Sequence, residues 1–108
     1  MIIIRNSIIP FKGFKAITLW PFIFVRNNAS FTEAYERHER IHGRQQVEML
    51  LLPFLLWYGL EWLIRLIITG NTHRAYRDIG FEQEAYMNQN DEEYLNKRRL
   101  YAWFKYLW

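Results

Sequence analysis

Two histidines four residues apart, with a glutamate directly after the first, are the residues of this sequence best suited to chemistry. The segment reads His38-Glu39-Arg40-Ile41-His42. In a helix, residues four apart lie about 40° apart around the axis, so both imidazoles can reach one ion. Glu39 flanks them and could take a proton from a water molecule that the metal activates. The spacing therefore predicts a metal site that serves hydrolysis.

The helix that carries this motif has a predicted start and a predicted end. Ser30 precedes Glu33 by three residues, a capping-box spacing that predicts a helix beginning near Phe31. Pro53 cannot continue a regular helix, so we expect the helix to run to Leu52 and break there.

Charged residues share one face of this helix, and the two histidines share the opposite face. At about 100° per residue, the charged face contains Glu33, Glu36, Arg37, Arg40, Arg44 and Glu48. His38 and His42 point the other way, in the sector of Phe31 and Met49. We expect the charged face to be solvated and the histidines to face inward, where a dry metal site belongs. The alternative is a pair of ordinary histidines with no metal.

A catalytic zinc ion usually takes three protein ligands, so the two histidines need a partner. The chain has no cysteine, which leaves Glu48, His73, Glu82 and Glu84 as candidates. Glu48 is rejected because the helix continues past Gln45 and places Glu48 on the charged face. Glu82 is favoured because it lies on a later predicted helix, and Glu84 points about 200° away from it. His73 remains open as a ligand, an oxyanion donor or a surface histidine.

The motif and its proposed partner together resemble a known group of enzymes. HERIH at 38–42, followed by Glu82-x-x-Ala85, resembles the glutamate-type zinc metallopeptidases, or gluzincins, and in particular the membrane-associated CAAX-prenyl protease and HtpX-like pattern. The resemblance covers residues 38–86. It departs at Tyr86, where that family usually has an aspartate that orients a ligand. Gln45-Gln46 after the motif also resembles small HExxH-x-x-Q-Q domains.

This resemblance implies a minimal zincin-like domain that hydrolyses peptide bonds. It implies that His38, His42 and Glu82 bind zinc and that Glu39 is the general base, with a peptide or protein as the substrate. The alternative is a non-catalytic zincin-like module, structural or partner-binding and in some settings membrane-associated. The short chain and the departure at Tyr86 motivate that alternative.

Transition-state stabilisation needs a hydrogen-bond donor beside the metal. His73, Tyr76 and Tyr86 are the candidates, and the sequence does not choose among them. An edge strand from residues 16–25 could pair with an extended peptide substrate.

The N-terminal part of the chain has a strand-like composition. Residues 2–9 and 16–25 are rich in Ile, Phe and Val, and Pro10–Gly13 separates them, which predicts two strands in a hairpin. Pro21 predicts that the second run is an edge strand or two short pieces.

Four further helices are predicted after the motif. They cover residues 54–69, 72–78, 81–89 and 92–106, with Gly70-Asn71 ending the first and Asp91 capping the last. The expected fold class is α+β and mostly α: an N-terminal β-hairpin, then a zincin-like HExxH helix, then three to four further helices. The expected organisation is one domain over 1–108.

Composition indicates apolar surface beyond what one small core can bury. Hydrophobic residues make up 51% of the chain and aromatic residues 19%. The surplus could face a partner, a membrane surface or another copy of the chain in a homo-oligomer. Residues 49–69 carry only two charges, Glu61 and Arg65, and are predicted to form either a buried core helix or a helix in or on a membrane. Aromatic residues in this run, such as Trp57 and Trp62, suit a membrane interface.

Two expectations concern partners and compartment. The net charge is +3, but acids balance the arginines of the first helix and there is no known nucleic-acid motif, so we expect no nucleic-acid binding. The N-terminus lacks a basic region followed by a long apolar stretch, so we expect no cleaved signal peptide. A cytoplasmic and a membrane-associated location both fit the sequence.

Overall fold

A small sheet followed by helices makes up the computed structural model, which describes residues 1–9, 14–27 and 29–107. Within them the strands are β1 (Ile2–Asn6), β2 (Ala16–Leu19) and β3 (Phe22–Arg26). The helices are α1 (Glu33–Met49), α2 (Leu51–Thr69), α3 (Thr72–Asp78), α4 (Gly80–Asn88) and α5 (Tyr94–Lys97), and a 3₁₀ helix covers Ala102–Tyr106. The predicted class, α+β and mostly α, is confirmed.

The sheet contains a hairpin, but its strands differ from the predicted pair. β2 and β3 are antiparallel, with Thr18 opposite Ile23, and the break at Pro21 divides the second predicted run into these two short strands. β1 pairs in parallel with the other edge of β3, so the strand order is β1-β3-β2. The predicted turn at 10–13 lies outside the described residues. β2 is an edge strand of this sheet.

Neither end of helix α1 lies where the sequence predicts it from the capping box at Ser30 and from Pro53. Thr32 is the N-cap, and its hydroxyl accepts a hydrogen bond from the backbone N–H of Tyr35. The helix ends at Met49, and the C-cap residue Leu50 has a positive φ of 65°. Pro53 lies in the first turn of α2, where its missing N–H removes no intrahelical hydrogen bond, so the proline starts the second helix instead of ending the first.

Helix α2 exposes most of its apolar surface. By length and composition alone it could cross a membrane, with a mean hydropathy of 1.7, and only 17% of that apolar window is buried. Its buried residues are Phe54, Glu61 and Arg65. The interpretation of this segment as a buried core helix is therefore wrong. Gly70 ends the helix in a left-handed conformation, as its position predicts.

Two small apolar clusters hold α4 in place. Phe54, Ile79, Phe81 and Trp103 form one cluster, which joins α2 and the 3₁₀ helix to the start of α4. The other is formed by Ile41, Ala85 and Tyr94, which joins α1 to α4. α4 is therefore fixed on both sides, and its remaining face is turned toward the histidines of α1.

The predicted last helix over 92–106 is interrupted in its middle. α5 ends at Lys97, and Arg98 has an extended backbone before the 3₁₀ helix begins. The Arg98 guanidinium makes a bidentate ion pair with Glu48, at 2.8 and 3.0 Å, and a second ion pair with Glu84. All three of these side chains are buried. The ion pairs of Arg98 with these two buried carboxylates outweigh the preference of residues 92–106 for one continuous helix.

Replacing Arg98 should therefore destabilise the whole chain. In Arg98→Met, two buried carboxylates lose the cation that pairs with them, and we expect the free energy of unfolding to fall by about 3–5 kcal/mol. Urea denaturation followed by circular dichroism measures this. The neighbouring Arg99 is exposed, so Arg99→Met is the matched control and should stay within about 0.5 kcal/mol of wild type. Equal unfolding midpoints for the two variants would contradict this packing.

Candidate metal centre

Helices α1 and α4 bring together the residues that the sequence singles out. The Oε1 atom of Glu82 lies 3.1 Å from the Nε2 atom of His38 and 3.1 Å from the Nε2 atom of His42. The two Nε2 atoms are 3.2 Å apart. All three side chains are buried. The three atoms thus form a nearly equilateral triangle between the two helices.

The triangle has the dimensions of a metal ligand set. Ligands about 2.0–2.1 Å from a tetrahedral ion lie about 3.3 Å from one another, close to the distances above. The carboxylate oxygen and the neutral imidazole nitrogens all direct lone pairs toward the centre of the triangle. These lone pairs repel one another unless a cation lies among them. That cation is either a proton on a ring nitrogen or a metal ion.

A second carboxylate lies beside the triangle. Ligand atoms of His38, Glu39 and His42 all lie within 4.8 Å of one another, so this buried His-Glu-His group could hold a metal ion. The Oε2 atom of Glu39 is 3.9 Å from the Nε2 atom of His38, farther than the oxygen of Glu82. Glu82 is therefore better placed as a direct ligand, and Glu39 is close enough to act on a molecule bound there.

Two glutamines set the orientation of the histidine rings. The Nδ1 atom of His42 lies 2.8 Å from the Oε1 atom of Gln45, and that of His38 lies 2.8 Å from the Oε1 atom of Gln89. An amide oxygen only accepts, so each Nδ1 donates, and the Nε2 atom of a neutral ring keeps its lone pair for an ion. The side-chain amide of Gln45 also donates to Phe81 O and to Glu84, which fixes which way it points. This arrangement is typical of metal-binding histidines.

Hydroxyl groups hold both carboxylates. The Tyr58 hydroxyl donates to Glu82 Oε2 over 2.6 Å. The Thr18 hydroxyl on β2 lies 2.8 Å from Glu39 Oε1, which leaves Glu39 Oε2 facing the histidines. Neither hydroxyl is predicted from the sequence to have a role in the site. Tyr58 carried a weak signal, a hydroxyl group within a long apolar run, whereas Thr18 carried none because only the tertiary fold brings β2 to α1.

The protonation states of His42 and Glu82 follow from their closeness to each other, which outweighs their isolation from water. Burial alone lowers the pKa of His42, but the nearby Glu82 carboxylate outweighs burial and raises the pKa to about 9. Burial raises the pKa of Glu82, but His42 and His38 outweigh it and hold that pKa well below its usual range. The triangle therefore favours a positive charge among its three atoms, and a divalent cation provides one.

Two corners of the triangle, His42 and Glu82, line an open cleft of about 600 Å³. Glu39, His42 and Glu82 contribute the acidic and basic groups, and most of the remaining wall is apolar and aromatic. His73 and Tyr76 also line the cleft. A cleft of this size with a few convergent polar groups is a suitable site for a ligand.

Tyr86 does not line the cleft. The Tyr86 and His38 rings pack in a T-shaped arrangement, and the Arg77 guanidinium lies 3.7 Å from the centre of the Tyr86 ring. Its hydroxyl lies 2.9 Å from the Tyr76 hydroxyl. Tyr86 therefore supports His38 and Tyr76, and Tyr76 is the tyrosine of the pair that reaches the cleft.

The other candidate carboxylates lie away from the triangle. Glu84 points toward Arg98 and Tyr94, as its position about 200° from Glu82 predicts. Glu48 is also bound by Arg98, so its rejection as a ligand agrees with the structure. The predicted reason was wrong, however, because the Glu48 side chain is buried and not part of a solvated face.

Comparisons of the chain with protein-family models, with curated proteins and with solved structures give no match.

Removing the glutamine behind His38 should weaken metal binding without unfolding the chain. Gln89→Ala removes the acceptor that fixes the ring of His38, and we expect the affinity for a divalent metal to fall about 10–100-fold. Titration with Zn²⁺ or Co²⁺ against a competing chelator measures this. In the control Gln83→Ala, the lost side chain donates to Asp78 O and not to a histidine of the site, and the affinity should not change. Equal affinities in the two variants would show that the Gln89 contact plays no part in binding.

Proposed function

We propose that this protein is a zinc-dependent metallopeptidase in which His38, His42 and Glu82 hold the zinc ion. The observation that carries the proposal is the convergence of two imidazole nitrogens and one carboxylate oxygen, 3.1–3.2 Å apart, at the wall of an open cleft. Three protein ligands beside open space is the arrangement of a catalytic site, whereas a structural site is closed by a fourth ligand.

The donor set favours zinc over other biological cations. Two imidazoles and one carboxylate suit a borderline ion such as Zn²⁺, while Mg²⁺ and Ca²⁺ prefer sites made only of oxygen. A thiolate ligand is excluded because the chain has no cysteine.

Glu39 is the general base in this proposal. Zinc bound beside it would acidify a water molecule and polarise the carbonyl of the peptide bond. Thr18 holds one oxygen of the Glu39 carboxylate, and the other oxygen faces the site. Glu39 takes a proton from the attacking water as the new carbon–oxygen bond forms. It then passes that proton to the amine nitrogen as the carbon–nitrogen bond breaks.

Tyr76 is the best-placed donor to the developing oxyanion. It lines the cleft, and Tyr86 holds its hydroxyl from behind. Burial and the Glu82 carboxylate raise the pKa of Tyr76 well above its usual value, so the phenol keeps its proton at neutral pH. His73 also lines the cleft and remains a second candidate donor. Of the three candidate donors that the sequence offers, Tyr86 is set aside because it does not line the cleft.

Strand β2 would bind the substrate main chain along part of its free edge. Ala16, Ile17 and Thr18 line the cleft, so an extended peptide paired with them would lie beside Glu39. Gln46 already bonds to Thr18 O and Trp20 N, at 2.7 and 2.6 Å. A peptide can therefore pair only with the part of β2 that precedes these groups.

The proposal is tested by separating zinc binding from hydrolysis. We expect the purified chain to bind about one zinc ion and to cleave members of a mixed peptide library, as followed by mass spectrometry. Glu82→Gln should lose zinc. Glu39→Gln should keep zinc and lose hydrolysis by at least about 100-fold, because the base is gone. Metal analysis and cleavage assays on the same samples measure both.

Glu36→Gln is the matched control, since Glu36 lies on the same helix and pairs with Arg40 on its outer side. It should match wild type in both assays. If Glu39→Gln cleaves as fast as wild type, the base is assigned wrongly. Zinc binding by the wild type without any cleavage would instead favour the non-catalytic zincin-like module.

A further inference from the structure

Helix α2 has the opposite polarity to a helix on the surface of a soluble domain. Its two charged residues are turned inward, where Arg65 pairs with Glu61 over 3.2 Å and Glu61 also accepts from Gly80 N over 3.0 Å. Its outer face carries aliphatic side chains, and Leu56 and Ile67 are 75% and 76% exposed. A helix that contacts water would place the charges outside and the aliphatic residues inside.

We propose that α2 lies parallel to the surface of a lipid bilayer. Its outer face is turned toward the membrane, and the aliphatic side chains of that face lie among the acyl chains. Every exposed residue of α2 is apolar, and the structure describes all of α2. Protein interfaces carry about one hydrogen bond for every 100–200 Å². A face with no exposed polar side chain matches hydrocarbon better than it matches a folded protein or a second copy of this chain.

The packing around α2 favours a helix in the membrane plane over one that crosses the membrane. At about 1.5 Å per residue, the 19 residues of α2 could span the acyl region. However, α3 packs along α2 and carries Arg74, whose side chain is 72% exposed. A transmembrane position would draw this charge into hydrocarbon, which is costly. With α2 in the plane, α3 stays on the aqueous side.

A basic and aromatic rim borders the same face. Trp57 of α2 packs against Trp103 of the 3₁₀ helix, and the adjacent Phe104 is exposed. Arg99 and Lys105, which lie close to Trp103 and Phe104 in the sequence, are exposed. Aromatic rings suit the headgroup level, and the two cations would attract anionic lipids. The chain also carries a net charge of +3.

This contact would place the mouth of the cleft at the membrane surface, because Leu55, Gly59 and Trp62 of α2 line the cleft. The proposal is independent of the metal and of hydrolysis.

Flotation with vesicles tests the proposal. Wild type should float with phosphatidylcholine vesicles, and more strongly when a quarter of the lipid is phosphatidylglycerol, with added salt removing that increment. The double variant Leu56→Glu/Ile67→Glu should lose at least about tenfold in partitioning, since two charges would enter the acyl region. Both residues are exposed, so circular dichroism should show an unchanged fold.

The control carries the same changes at exposed residues of other segments. Ile8 and Met87 are 79% and 70% exposed and lie outside α2, so Ile8→Glu/Met87→Glu should float like wild type. Wild type that stays with the lipid-free fraction would overturn the proposal. So would a wild-type dimer in buffer that the α2 variant converts to a monomer, because a second copy would then cover the face.

Depth measurement separates the two membrane orientations. The chain has no cysteine, so Leu60→Cys and Ile67→Cys can each carry a single fluorophore on the outer face of α2. Lipids brominated at shallow and deep positions should quench both labels equally and at shallow depth. Residue 60 is at the middle of α2, so it would lie deepest if the helix crossed the membrane. A deep label at 60 with a shallow label at 67 would therefore overturn the in-plane orientation.

Discussion

The meeting of three lone pairs in a buried place is the constraint on which the rest of the structure depends. Two imidazole nitrogens and a carboxylate oxygen cannot lie 3.1–3.2 Å apart without a cation among them. Holding them there requires every neighbouring polar group to be satisfied. Gln45 connects His42 to Glu84, and Arg98 connects Glu84 to Glu48. The C-terminal segment therefore helps to fix the orientation of a ring on α1.

Helix α2 serves the same arrangement from the other side. It turns its polar groups inward, where Tyr58 holds Glu82 and Glu61 holds the start of α4 at Gly80. Its aliphatic residues are left on the outside. The few polar groups of α2 contact the site and α4, and the exposed residues of its outer face are all apolar. Support of the site and an apolar exterior are thus two consequences of one sequence pattern.

Part of this arrangement could be predicted because it depends on local spacing. The positions of His38, Glu39 and His42 follow from the helical repeat, and the opposite directions of Glu82 and Glu84 follow from it as well. The broken last helix and the outward face of α2 could not be predicted, because tertiary contacts decide them. The start of α1 depends instead on a local hydrogen bond from Tyr35 N to the Thr32 hydroxyl, which the capping-box spacing at Ser30 does not predict. The pairing of Arg98 with two carboxylates that are distant in the sequence interrupts the last helix. For α2, hydropathy does not distinguish an apolar face that is buried from one that is exposed.

A crystal structure of the zinc-loaded protein, with anomalous scattering measured at the zinc absorption edge, tests the central claim most directly. The account predicts one strong peak within about 2.0–2.2 Å of His38 Nε2, His42 Nε2 and a Glu82 oxygen, with Glu39 outside the ligand shell. No peak at this position would contradict the account. A peak bound by Glu39 in place of Glu82 would contradict it equally, because the proposed general base would then be a ligand.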